Sequence, residues 1–180
     1  MTPNRREVEH GSTVLPSLGA VSKAHHRVEI DGTVDEVNSL VGAARPTGYD
    51  DIDDRLRRLQ NQLHVVHATV THPDPPAGYP QIDRAHVATL ERWIDAYGGI
   101  HDAMPQRTVP GGTVAGSRLN RARAVCRRAE RRAVTLGDGD PSRDCLLQYL
   151  NRLGDVLFVF ARVVNERSDR PEPLFDPDGE

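Results

Sequence analysis

From Ser117 to Leu136 the chain contains neither glycine nor proline, and its apolar residues fall along one line. Ala115, Leu119, Ala122, Cys126, Ala129, Ala133 and Leu136 alternate four and three apart, the spacing of a helix seam that other helices must cover. Most of these residues are small, which lets a neighbour approach closely. The remaining faces carry Arg118, Arg121, Arg123, Arg127, Arg128, Arg131 and Arg132, with Glu130 the single acid among them. Arg123/Arg127, Arg127/Arg131 and Arg128/Arg132 each stand one turn apart, and every such like-charge pair costs a helix about 0.2–0.5 kcal/mol. Something anionic must offset them. Acids on neighbouring helices meet that need and leave a solvated face. So does a polyphosphate, whose oxygens match arginine forks bidentately.

Other segments repeat the seam. Ile52, Leu56, Leu59, Leu63, Val66 and Val70 alternate four and three apart and predict a helix from about Asp50 to Val70, with Asp50, Asp51, Asp53 and Asp54 at its dipole-favoured start. Thr33 and Glu36 form a capping-box pattern after an Asp31-Gly32 turn, and Val34, Val37, Val41 and Ala44 continue as an apolar stripe. Arg27 to Ile30 alternates like a short extended piece. A third helix is expected from Asp83 to Tyr97, stopped by Gly98-Gly99. The arginine helix follows the Pro110-Gly111-Gly112 turn. A last helix is expected from Ser142 to Glu166, its seam formed by Leu146, Tyr149 or Leu150, Leu153, Leu157, Phe160 and Val164. Long helices joined by short connections predict an all-α, up-and-down five-helix bundle, with no strand pattern in competition. Residues 1–24 read as an irregular N-terminal segment, 25–167 as the bundle, and 168–180 as a polar tail.

Charge and composition remove several function classes. The net charge of -3 gives no global basic field, and stacking aromatics do not accompany the arginines, so nucleic-acid binding is not expected. No apolar run approaches the roughly 20 residues of a membrane span, and no secretory signal is visible. The expectation is a cytoplasmic protein away from membranes. His64, His67 and His72 lack a carboxylate motif and read as solvated or packed histidines rather than metal ligands.

Five motifs in order resemble the trimeric, propanediol-utilisation type of ATP:cob(I)alamin adenosyltransferase. They are Val21-Ser22-Lys23 with Arg27-Val28-Glu29, Gly32 to Ser39, Pro110-Gly111-Gly112, Arg123 to Arg132, and Tyr149 to Asp155. The likeness covers roughly Gly11 to Arg167. It implies a ferritin-like, cobalamin adenosyltransferase-like bundle that forms a homotrimer, with ATP and cob(I)alamin as substrates held between subunits, and Mg2+ assisting. It implies that cobalt attacks C5' of ATP and triphosphate leaves. A corrinoid reductase and an adenosylcobalamin-dependent mutase are its implied partners.

The resemblance also implies roles for particular residues. Arg127 and Arg131 clamp the triphosphate. Glu130 orients an arginine or reaches magnesium through water. Arg6, Thr13, Lys23 and Asn151 join Arg127 and Arg131 around ATP. Asp35, Asn38, Arg107, Arg128 and Asp155 surround the corrinoid, with Asp35 pairing to an arginine, Arg128, to fix the pocket across the subunit interface. In this picture Asp35, Arg127, Arg128, Glu130 and Arg131 form the catalytic set. Three departures stand out. Arg5 to Glu9 replaces the family's Thr-Lys-Thr-Gly-Asp, with Val8 at its permissive glycine. Arg107 stands where the family usually has Phe, and Asn120 where it has His. They motivate an alternative: a catalytically weak homologue acting as a corrinoid or nucleotide carrier or sensor.

Overall fold

A computed structural model describes residues 11–102, 107–140 and 142–178. Its helices are α1 (His26–Ala44), α2 (Asp50–Thr71), α3 (Arg84–Asp102), α4 (Val114–Ala133) and α5 (Arg143–Arg167). A small antiparallel hairpin precedes them, β1 (Ser12–Leu15) and β2 (Gly19–Ser22), with Thr13 opposite Val21. α4 lies between α1 and α5; α2 packs on the far side of α1 and α3 on the far side of α5.

The seams drive this arrangement. Ile52, Leu56, Leu59, Leu63, Val66 and Val70 of α2 are all buried, as are Leu119, Ala122, Cys126, Ala129 and Ala133 of α4. Fully burying one such large aliphatic side chain is worth about 1.5–3 kcal/mol. α5 buries the widest face, including Leu146, Tyr149, Leu153, Leu157 and Phe160. The Tyr149 hydroxyl donates to Gln62 Oε1 at 3.0 Å, which satisfies the one polar atom of that ring. Trp93 and Tyr97 of α3 reach the same core, Tyr97 edge-on to Phe160 at 5.7 Å between centroids.

Four local expectations are corrected. α1 begins at His26, seven residues before Thr33, so Arg27 to Ile30 is helical and Asp31-Gly32 is no turn. His25 caps the helix through its ring nitrogen, which accepts from the Arg27 amide. Thr33 is buried mid-helix and its hydroxyl donates to the Glu29 carbonyl at 2.6 Å, a bond within the helix that sequence spacing cannot tell from a cap. α3 continues through Gly98-Gly99 to Asp102. Each glycine costs a helix only about 1 kcal/mol, which weakens it without by itself ending it. The hairpin corrects the irregular reading of residues 12–22: Leu15 is buried, and Gly19, at φ +72, supplies the left-handed residue of its short turn. The segment after α5 is tied down as well, for Thr108 and Leu174 form an antiparallel bridge.

Arg27 fastens the hairpin end of the bundle. It donates to the Val70 carbonyl at 2.8 Å and forms a buried ion pair with Asp140 in the α4–α5 connection. Burial acts to raise the Asp140 pKa, but hydrogen bonds from Ser142 and the Arg27 charge outweigh it and hold the carboxyl below its ordinary 3.8. Its stabilising contribution is therefore complete above pH 3.8 and lost as pH falls through the lowered value. Arg27→Ala should cost about 3–5 kcal/mol in urea denaturation, because it strands a buried carboxylate. Adding Asp140→Asn to that variant should recover much of the loss.

Candidate active site

The seven arginines of the central helix divide into two flanks. One flank faces α1. Arg132 pairs with Glu29 at 2.9 Å, Arg128 pairs with Glu36, and Arg118 donates to the Ala43 carbonyl at 2.6 Å. The other flank runs along α5. The stem of Arg127 lies over Gly154, where an added Cβ would sit 4.0 Å from Arg127 Cγ. The Arg123 guanidinium stacks on the Phe158 ring, 5.0 Å from its centroid. Asn151 Nδ2 donates to Glu130 Oε1 at 2.9 Å. Among the described residues Arg121, Arg127 and Arg131 have no acidic or hydrogen-bonding partner, and all three are exposed. Both offsets foreseen for the crowding thus have a place. Acids of α1 neutralise Arg128 and Arg132, while Arg127 and Arg131 keep free forks on a shared face.

The expected pair Asp35–Arg128 is not made within the chain. Glu36, one residue further along α1, takes Arg128, and Asp35 lies instead in a groove of about 400 Å³ against α2. Consecutive helical residues point about 100° apart, so the two acids serve different neighbours. Asn38 lines the same groove, and its buried Oδ1 has no hydrogen-bond partner. Asp155 lines another groove of about 610 Å³ between α3 and α5, with Ile94, Phe158 and Val159 as apolar lining. Lys23 sits at the foot of the hairpin, its amide donating to the Gly11 carbonyl at 2.8 Å, and faces a hollow of about 200 Å³ shared with Thr33, Glu36 and Arg132. Thr13 is on β1. Arg107 is exposed in the loop before α4. Arg6, and the Arg5 to Glu9 stretch as a whole, lie outside the described residues.

One chain therefore brings Arg127, Glu130, Arg131 and Asn151 together and sets Asp35 and Asn38 in a separate groove. The role of Glu36 was hidden in the sequence by its fit to a capping box. The signal that identifies it is its spacing from Glu29, two turns along the α1 face that meets Arg132 and Arg128. Cys126 is no candidate: its Sγ donates to the Leu150 carbonyl at 3.2 Å, and burial pushes its pKa far up. Among the described residues no three histidine, cysteine or acidic side chains gather as a metal site.

His67 marks the rim of the Asp35 groove. Its hydrogen bond with Asp31 raises its pKa above 6.5, against the opposing effect of burial. A raised histidine contributes stability below its unfolded value that disappears as pH rises through the folded one. NMR titration should place the His67 midpoint above 6.5, and Asp31→Asn should lower it.

Known proteins resemble this chain in sequence and fold. The cobalamin adenosyltransferase family profile matches residues 5–164. The corrinoid adenosyltransferase of Mycobacterium tuberculosis is 36% identical over 171 residues, spanning 91% of this chain and 89% of that protein. The corrinoid adenosyltransferase of Bacillus subtilis is 36% identical over 155 residues, spanning 83% of this chain and 80% of the relative. A variant PduO-type ATP:corrinoid adenosyltransferase from Lactobacillus reuteri, solved in complex with cobalamin and ATP, superposes with a TM-score of 0.86 at 27% identity, covering 98% of this chain and 97% of the other. A second variant of that enzyme, in complex with ATP, gives 0.84 at 27% identity, covering 96% and 99%. The chain belongs to the cobalamin adenosyltransferase family.

Proposed function

We propose that the chain transfers the 5'-deoxyadenosyl group of ATP to the cobalt of cob(I)alamin, forming adenosylcobalamin and releasing triphosphate. The observation that carries this reading is the unneutralised flank of α4, where Arg127 and Arg131 stand one turn apart beside Asn151. In this reaction the Co–C5' bond forms from the cobalt electron pair and the C5'–O bond breaks onto the leaving triphosphate. Cobalt is the nucleophile, so no protein base is required. What the protein must supply is position, and positive charge where the leaving oxygens gain negative charge.

The residues divide that work. Arg127 and Arg131 grip the triphosphate oxygens. Asn151, held by Glu130, hydrogen-bonds ATP. Lys23, whose hollow within one chain lies on the α1 side of α4, reaches these phosphates across a subunit boundary, with Thr13 and Arg6 as further phosphate contacts. Magnesium fits this donor set only as an ion carried by the phosphates: Glu130 is a single carboxylate, and Mg2+ keeps much of its water shell. Bound there, it would neutralise phosphate charge, with Glu130 contacting it through water.

Asp35 and Asn38 sit apart from the arginine flank within one chain, and Asn38 carries an orphaned acceptor. A homotrimer that brings the α1–α2 groove of one subunit to the α4–α5 seam of the next completes the corrinoid site. Asp35 then meets the neighbour's arginines, while Arg107 and Asp155 flank the corrinoid. Arg128, neutralised by Glu36, acts by bracing α4 rather than by touching substrate. Sedimentation should give a mass near three chains. A reductase supplying cob(I)alamin and a mutase consuming the product are the fitting partners, in the cytoplasm.

The test is anaerobic mixing with ATP and chemically reduced cob(I)alamin. Appearance of the adenosylcobalamin spectrum supports the reading; binding of both substrates with no Co–C bond formed would favour the carrier or sensor. For Arg127→Ala, loss of one transition-state donor predicts a fall in kcat of about 10²–10³. Arg127→Lys keeps the charge without the fork and should stay clearly impaired. Both variants should retain the wild-type melting temperature, since Arg127 is exposed and without an ionic partner among the described residues.

A further inference from the structure

We propose that Asn165, at the end of α5, is a positioning residue that fixes the loop 107–113 for the corrinoid. The inference rests on the adenosyltransferase reading for the identity of the substrate, and on the geometry of this chain for everything else. Asn165 is fully buried. Its side-chain Oδ1 accepts from the Thr113 amide at 2.8 Å and from the Thr113 hydroxyl at 2.7 Å, and its Nδ2 donates to the Gly111 carbonyl at 3.1 Å. The Thr113 hydroxyl also accepts from the Gly116 amide at 2.9 Å, so the bond that caps α4 and the bond that holds the loop share one atom.

The glycines of this region make room for that amide. A Cβ at Gly112 would meet Asn165 Cγ at 2.5 Å, and one at Gly116 would meet Oδ1 at 2.1 Å. Gly112 also has φ +84, where other residues are strained. The Asn165 backbone serves the opposite side of the loop. Its carbonyl accepts from the Ser168 and Arg170 amides at 3.2 and 2.9 Å, turning the chain so that residues 173–175 run beside the loop. There the Val109 amide donates to the Pro173 carbonyl at 2.8 Å and the Phe175 amide to the Arg107 carbonyl at 2.7 Å. One residue thus anchors both the inner peg and the outer strand that hold 107–113. Beside the exposed Arg107, the surface they present is apolar, with Val109, Leu174 and Phe175 all exposed, which suits the face of a corrin macrocycle. The phosphate-gripping arginines, by contrast, stand beside Asn151, more than three turns from Asn165 along α5.

The proposal separates the two substrates. Asn165→Asp keeps the acceptor for Thr113 but loses the donor to Gly111. Gly116→Ala leaves Asn165 chemically intact but occupies the space of its Oδ1, and alanine favours the helix it enters. Both variants should raise the corrinoid KM about tenfold, the scale of one buried polar group left unpaired, while the ATP KM stays as in the wild type. Affinity for cob(II)alamin, read by absorbance titration, should weaken in parallel and does not depend on turnover. An unchanged corrinoid KM and affinity, or an equal rise in both KM values, would overturn the proposal. If Asn165→Asp does not fold, Gly116→Ala decides alone. A wild-type protein that makes no adenosylcobalamin would count against the adenosyltransferase reading; the cob(II)alamin affinities of wild type and variants would still decide the role of Asn165.

Discussion

Close contact between α4 and its two neighbours is the constraint on which the rest of the structure depends. Ala122, Cys126, Ala129 and Ala133 are fully buried and too small to hold α1 or α5 away. Because α1 comes near, Glu29 and Glu36 reach Arg132 and Arg128, and the repulsion between those two arginines is offset. Because α5 comes near, the stem of Arg127 crosses Gly154 and Glu130 meets Asn151. The result is a helix whose α1-side acids take Arg128 and Arg132, while Arg127 and Arg131 on the α5 side stay uncompensated. Repulsion between Arg127 and Arg131 persists in the free protein, and a polyanion bound there would relieve it.

Much of this was legible in the sequence because it is periodic. The α2 and α4 seams mark helix faces that the structure buries, and the last helix was placed within a residue at each end. The misread parts share a physical cause: local patterns with two solutions. Thr33 and Glu36 fit a capping box, yet Thr33 bonds back to Glu29 inside a longer helix and Glu36 turns to Arg128. Gly98-Gly99 fits a helix stop, yet glycine only weakens a helix and α3 runs past it. The hairpin carries only Thr13-Val14-Leu15 and Ala20-Val21 as strand signal, and it becomes a defined element because Leu15 finds a place in the core. Asn165 gave no sequence signal at all. Its partners, Gly111 and Thr113, lie more than fifty residues away and meet it only when α5 crosses the start of α4.

The two ends of the bundle are specialised by what fastens them. At the hairpin end a buried ion pair, Arg27–Asp140, joins α1, α2 and the α4–α5 connection, and Lys23 emerges beside it. At the opposite end Asp51 receives both Arg167 nitrogens and the Tyr97 hydroxyl. Hydrogen bonding to Arg167 holds that carboxyl at about 2, which ties α2, α3 and α5 together across the ordinary pH range. Between these fixed ends the α4–α5 seam grades from free arginines to apolar Phe158 and Val159. That gradient matches a reaction joining a polyphosphate-bearing nucleoside to a large apolar macrocycle.

Phosphate is expected on the α5-side flank of α4, where Arg127 and Arg131 stand one turn apart without an acidic partner among the described residues. Calorimetric titration of the wild-type protein, Arg127→Ala and Arg128→Ala with inorganic tripolyphosphate tests it most directly. The wild type should bind, Arg128→Ala should bind at similar affinity, and Arg127→Ala should lose about tenfold or more, as expected when a charge-assisted hydrogen bond of roughly 1.5–3 kcal/mol is removed. Equal weakening in both variants, or none in Arg127→Ala, would contradict it.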